Sequence, residues 1–177
     1  MIDLQANPPY LGYAYAYPHK TAYRRLTPPV PLQELWSDEK KDALFLYVHI
    51  PFCARRCGYC NLFSLPHPEP EFVEQYLHTL ERQTDQIREI LGEAAFSRIA
   101  VGGGTPTYLD GKSLNRIFDI CANIMGANSH LVPVSVETSP TTANVERLAV
   151  LKERGVNRIS IGIQSFEKKE MAALGRS

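Results

Sequence analysis

No run in this 177-residue chain is long and apolar enough to cross a bilayer. The most apolar stretch, Ala43 to Phe52, is interrupted by His49 and Pro51. Net charge is missing too. Nineteen Lys and Arg balance nineteen Asp and Glu without a basic run, so charge gives no ground for a nucleic-acid or membrane partner. The opening MIDLQANPPY has neither a basic end nor an apolar core, which argues against secretion and makes a cytoplasmic protein the expectation. GGGTP lacks the G-K-[ST] ending of a G-x-x-x-x-G-K-[ST] phosphate loop, there is no G-x-G-x-x-G, and no second Cys/His pair stands at zinc-finger spacing. Internal repeats and low-complexity tracts are absent as well.

Cysteine is scarce, four in all, yet three crowd into a short loop: Cys53, Cys57 and Cys60, spaced C-x3-C-x2-C. Such crowding fits metal or cluster binding in a reducing compartment better than disulfides. Three thiolates on one loop can hold three irons of a four-iron cluster, leaving the fourth open to chemistry. Zinc is the alternative, although it usually takes C-x2-C pairs with a distant second half. The remaining thiol, Cys121, lies in LNRIFDICANIM, where an apolar helical setting predicts core packing.

Residues 1–41 read as a Pro- and Tyr-rich lead-in, with six of thirteen prolines and five of nine tyrosines. That proline density excludes long helices, and the aromatic surface predicts a segment lying across the domain that follows, 42–177. From Ala43 the pattern alternates. ALFLYVHI, Ile99–Val101, VPVSVE (132–137) and NRISIGI (157–163) read as strands. Helical spacing covers Glu71–Leu91, with Phe72, Tyr76 and Leu80 on one face alongside Val73 and Leu77. It recurs from Leu114 to Met125, over Val145–Leu151 with Gly155 as its stop, and from Lys168 to Leu174. Strand and helix alternating four times predicts an α/β fold, a parallel sheet covered by helices. The chain stops at Gly175-Arg176-Ser177 inside a helical pattern, so the expectation is the front part of a longer protein. The last strand should then be an exposed edge, and this piece alone poorly soluble.

Parallel α/β folds place their sites at the carboxyl ends of strands. Here those ends deliver the cysteine loop, GGGTPT (102–107), Glu137 and Gln164 to one rim. Each has a plainer reading when taken alone. GGGTP can be a turn, Glu137 a helix cap, His49 a packed imidazole, and Arg55 and Arg56 solvated charges.

Together, YVHIPFCARRCGYCN, VGGGTPT, the strand-end glutamate and SIGIQSF resemble the radical S-adenosylmethionine (SAM) superfamily. Within it they resemble the oxygen-independent coproporphyrinogen III dehydrogenases (oxidases) and their relatives, including haem chaperones. The resemblance runs from about Leu46 to Arg176. It implies a TIM-like (β/α)6 partial barrel of which about the first four βα units are present. It implies Cys53, Cys57 and Cys60 as ligands of a [4Fe–4S] cluster whose fourth iron is chelated by SAM. Tyr47, Tyr59, Gly102, Gly103, Gly104, Thr105, Glu137, Gln164 and Arg176 match its cofactor-contacting positions. Tyr59 matches an adenine contact, Gln164 a ribose contact and the glycines the segment meeting the methionine amino group.

The implied reaction is reductive cleavage of SAM to a 5′-deoxyadenosyl radical that abstracts a substrate hydrogen. It would involve a small-molecule substrate, a tetrapyrrole by resemblance, and an electron donor such as flavodoxin or ferredoxin. One position departs from the pattern. Where coproporphyrinogen-oxidising members carry a further cysteine two residues beyond the triplet, this chain has Leu62, as chaperone-like relatives do. A haem-binding carrier is therefore the alternative to an oxidase.

Overall fold

A computed structural model describes residues 24–58, 60 and 62–175. Most of the lead-in, residues 1–23, lies outside the described residues, as do Tyr59 and Arg176. The described part of the lead-in holds α1 (Leu32–Trp36), whose five residues agree with the ban on long helices. Its Trp36 packs against the core. Then come β1 (Leu44–Ile50), β2 (Phe52–Cys53), β3 (Leu65–Pro66) and the long α2 (Pro70–Leu91). β4 (Phe96–Gly103) leads through a 3-10 turn, Pro106–Tyr108, into α3 (Gly111–Asp119). The last elements are β5 (Val134–Thr138), α4 (Val145–Glu153), β6 (Arg158–Ile161) and α5 (Lys168–Ala173).

The main sheet has the order β1-β4-β5-β6, every pair parallel. Spatial order equals chain order, so each crossover helix returns its strand beside the last, the start of a singly wound barrel wall. The α/β expectation holds. One sheet face meets the helices: Val48, Ile50, Ile99, Val101, Val134 and Val136 form one core with Leu77, Leu91, Leu114, Ile117, Phe118 and Leu151. Along β1 the alternating residues Phe45 and Tyr47 are half exposed on the other face. β6 is exposed throughout, the free edge that the strand count implies.

Local chemistry sets the helix ends. Asp110 caps α3 by accepting from Ser113 N–H at 2.7 Å, and Asn144 caps α4 by accepting from Arg147 N–H at 3.0 Å. Gly155, at φ +75°, takes the left-handed turn after α4 that a Cβ would oppose. Arg116 on α3 clamps onto Glu81 of α2 at 2.7 Å, which holds the Glu81 carboxyl below its ordinary range.

Several expectations need correcting. Phe72 is 48% exposed rather than in the core, because α2 is only starting at that point and its packed stripe runs from Val73 and Tyr76 onward. Val145, in the first turn of α4, is also exposed, while Leu151 is fully buried. The helix over Leu114–Met125 is not regular. After Asp119 it widens into a π-turn over Ile120–Ile124, with Met125 N–H donating to Ile120 O. The second strand runs on through Gly102 and Gly103, so those glycines belong to β4 rather than to the turn after it.

Candidate functional site

The cysteine loop is closed by pieces too short for periodicity to reveal. β2 and β3 pair in parallel, Phe52 with Leu65 and Cys53 with Pro66. Leu65 N–H donates to Pro51 O at 2.6 Å and His67 N–H to Cys53 O at 3.0 Å. Inside the loop Cys60 N–H donates to Cys57 O. His49 ties the loop to β1, with Nε2 2.9 Å from Phe63 O and Nδ1 3.2 Å from the Tyr47 hydroxyl. This is the packed imidazole expected of it. Below the loop entrance, Phe52 is fully buried and meets the rings of Phe72 and Tyr76 edge-on. The Tyr76 hydroxyl donates to His49 O, and burial pushes its pKa up.

The glycine segment runs hard against this loop. A Cβ on Gly104 would lie 2.6 Å from Phe52 O and 2.8 Å from Cys53 Sγ. One on Gly102 would lie 2.9 Å from Glu137 Oε2. Only a residue without a side chain lets the end of β4 pass between the cysteine loop and β5. Gly104 N–H then donates to Ile50 O and Thr105 N–H to Phe52 O, carrying the β1–β4 ladder one step past its end. Thr105 Oγ1 donates to Cys53 Sγ at 3.7 Å, and Ser64 Oγ lies 3.6 Å from Cys60 Sγ. Gly103 N–H donates to Glu137 Oε2 at 2.9 Å, so this carboxylate braces β4 instead of capping α4, where Asn144 serves.

One cavity of about 530 Å³ opens at this rim. Cys53, Cys57, Cys60, Gly103, Gly104, Thr105, Glu137 and Gln164 line it. Tyr47 and Gly102 do not; Gly102 passes against the side chains of Glu137 and Tyr47. Tyr59 and Arg176 fall outside the described residues. Gln164 has φ +73°, a strained backbone for a side-chain-bearing residue and one that clusters at ligand sites.

Residue-by-residue reading missed part of the lining: Thr138, Ser139, Pro140 and Thr141 after β5, and Met171 of α5. The carboxyl-rim rule, applied to the whole loop after Glu137, was the signal available. Arg55, expected to be solvated, donates from Nη1 to Gly175 O at 2.8 Å, and Gly58 N–H donates to Leu174 O. The end of α5 thereby holds the outer side of the cysteine loop.

The donor set suits an iron–sulfur group. Three thiols share one cavity, two carry hydroxyl neighbours within bonding distance, and none of the four cysteines is in a disulfide. Among the described residues no three His, Cys, Asp or Glu side chains gather around a single ion.

A parallel sheet with thiols, a glycine-lined wall and a strained glutamine at its carboxyl rim defines a cofactor-dependent α/β domain. Comparison supplies the family. The radical SAM superfamily profile matches residues 47–176, and the chain belongs to that superfamily, whose cofactors are a [4Fe–4S] cluster and S-adenosylmethionine. The chain is 36% identical over 130 residues to the heme chaperone HemW of Bacillus subtilis, covering 73% of this chain and 34% of that protein. It is 29% identical over 177 residues to the oxygen-independent coproporphyrinogen III oxidase of Salmonella typhimurium, covering 93% and 37%. Coproporphyrinogen III oxidase (HemN) from Escherichia coli, a radical SAM enzyme, superposes with TM-score 0.75 at 26% identity, over 82% of this chain and 33% of that one. The chain thus spans about a third of the length of these relatives. Among the described residues no helix is long and apolar enough to cross a membrane.

Proposed function

We propose that the full protein is a cytoplasmic radical SAM oxidoreductase of the coproporphyrinogen III oxidase type, acting on a tetrapyrrole and reduced by a flavodoxin- or ferredoxin-like donor. In this reading residues 42–177 are the front of its core domain and residues 1–41 a lead-in. The observation that carries it is the convergence of three thiols, the Gly103–Thr105 backbone, Glu137 and Gln164 on one cavity. A [4Fe–4S] cluster with S-adenosylmethionine supplies one-electron cleavage of the sulfonium and removal of a hydrogen atom from substrate.

The chain's own residues do the rest. Cys53, Cys57 and Cys60 would ligate iron, and the Thr105 hydroxyl donating to Cys53 Sγ, with Ser64 Oγ beside Cys60 Sγ, would favour the electron-rich state. Glu137 spends one oxygen on Gly103 N–H, which leaves the other for an ammonium or hydroxyl of the nucleotide. Gln164 accepts or donates at the ribose, its strained backbone fixing where the amide lies. Tyr47, Tyr59, Gly102 and Arg176 complete the assignment by resemblance. Ile163 and Met171 add apolar lining to the cavity.

A second reading has one observation in its favour. Leu62 lines the cavity where oxidising enzymes of this group carry a further cysteine, which supports a haem-binding carrier that does not oxidise coproporphyrinogen. The two separate in the full-length protein, loaded anaerobically with iron and sulfide and then given SAM and reductant. Release of 5′-deoxyadenosine that depends on coproporphyrinogen, with vinyl product, supports the oxidase. Haem binding and transfer without vinyl product supports the carrier. A protein that stays colourless, or takes up zinc instead, would falsify both.

A further inference from the structure

The β4–β5 ladder reaches its last register pair at Val101 and Val136, before either strand arrives at the cavity. Past that point the two walls are bridged by Glu137 and by a chain of hydroxyls. Thr107, fully buried in the 3-10 turn after the glycine segment, places Oγ1 2.5 Å from Thr138 Oγ1 and 2.6 Å from Thr142 Oγ1. Thr142 Oγ1 lies 2.9 Å from Ser139 Oγ, and Ser139 Oγ lies 3.1 Å from Thr141 Oγ1. Thr138, Ser139 and Thr141 line the cavity; Thr107 and Thr142 sit behind them.

We propose that Thr107 is a positioning residue for the nucleotide cavity, the buried joint that holds the Gly103–Thr105 wall in register with the Glu137–Thr142 wall. A hydroxyl has one hydrogen to give and two lone pairs, and the three buried members, Thr107, Thr138 and Thr142, are shielded from water, so they depend on one another for partners. Thr107 stands at the centre with a partner on each side. Its removal leaves the Thr138 hydroxyl with the longer bond it donates to Ser139 O at 3.4 Å. Loss of the central hydroxyl breaks both bonds at once, whereas loss of an end member breaks one. The glycine wall is tied to the cysteine loop by its own bonds, Gly104 N–H to Ile50 O and Thr105 N–H to Phe52 O. The loop is held also by those of Leu65, His67 and His49, so the wall freed by losing the joint is 138–142. The inference therefore separates two functions of one cavity: losing the joint should loosen the nucleotide and spare the iron.

The proposal rests on the cofactor assignment above, so one of its tests needs no cofactor. In the full-length apoprotein, Thr107→Val should speed amide hydrogen exchange across residues 138–142, and Thr107→Ser should restore the native rate. In the iron-loaded protein Thr107→Val should keep its iron content and weaken SAM binding about tenfold, as loss of a buried hydrogen bond implies. The core variant Leu114→Ala controls for stability, because it should lower the melting temperature at least as much without touching SAM affinity. Thr138→Val, which keeps the Thr107–Thr142 pair, should give an intermediate loss and serves if Thr107→Val does not fold. Native exchange and native affinity in Thr107→Val would overturn the joint. So would affinity losses in the threonine variants and Leu114→Ala that simply track melting temperature. A wild-type protein that holds neither iron nor SAM would sink the cofactor assignment instead, and the exchange test of the joint would still stand.

Discussion

Cys121 is 1% exposed, packed in one core with Leu114, Ile117 and Phe118 where α3 widens into its π-turn. Cys57 and Cys60 are only partly covered, on a loop at the rim of the sheet, and Cys60 has a serine hydroxyl beside its sulfur. Burial pushes the Cys121 thiol up to about 12, which keeps it protonated at any physiological pH. The contrast shows what the fold does with one element in two places. Between helices, sulfur is treated as hydrocarbon and contributes packing. At the carboxyl rim it is supplied with donors, neighbours of its own kind and a cavity, the conditions for ligation.

The largest expected effect is at the rim. Cys57→Ala in the full-length protein should remove the cluster and its brown colour, measured by iron content and the visible spectrum. Cys121→Ala should leave both at wild-type level. An unchanged iron content in Cys57→Ala would erase the distinction. Next comes thiol reactivity in the metal-free protein at pH 8. Buried and with its pKa raised to about 12, Cys121 stays protonated there, so maleimide should label Cys57 and Cys60 in minutes and spare Cys121 until unfolding. Mass spectrometry of peptides reads this directly.

Gly104→Ala sharpens the contrast from the backbone side. Its new methyl would press on Phe52 O and Cys53 Sγ, costing about 1–3 kcal/mol as overpacking does and displacing the loop. Iron uptake should fall along with the melting temperature. A core change of comparable cost, Leu151→Val, should lower the melting temperature alone.

The smallest effect lies far from the rim. Asp110→Ala should cost about 1 kcal/mol by leaving the α3 N-terminus uncapped, without changing iron content. The bonds from Ser113 hold the Asp110 carboxyl below its ordinary 3.8. A carboxyl with a lowered folded-state pKa stabilises the fold above its unfolded value and loses that contribution as pH falls through its folded value. The stability gap between wild type and Asp110→Asn should therefore close on acidification below pH 3.8, followed by urea unfolding.

Much of the architecture was legible beforehand for a periodic reason. β1 and β5 alternate, α2 and α3 repeat at helical spacing, and Gly155 marks a stop, all of which need only local pattern. Elements without room for a period were invisible. β2 and β3 have two residues each and exist because the cysteine loop must be closed, not because Leu65-Pro66 prefers a strand. The exposure of Phe72 and Val145 depends on where their helices begin to touch the sheet, and no helical wheel contains that information. The motif residues are found from their spacing, and resemblance alone gives the glycines as the segment meeting the methionine amino group. In the fold they make room first for Cys53, His49 and Glu137.

The chain's own order of residues determined the parallel βα alternation, the family and the set of side chains delivered to one rim, since motif spacing and hydrophobic period are properties of neighbours along the chain. Only the folded arrangement decided how those side chains relate across strands. It set Gly103 N–H against Glu137, the α5 end against the cysteine loop, and Thr107 between Thr138 and Thr142. Those contacts join residues roughly 30 to 120 positions apart, where no local pattern reaches and close packing alone selects the partner.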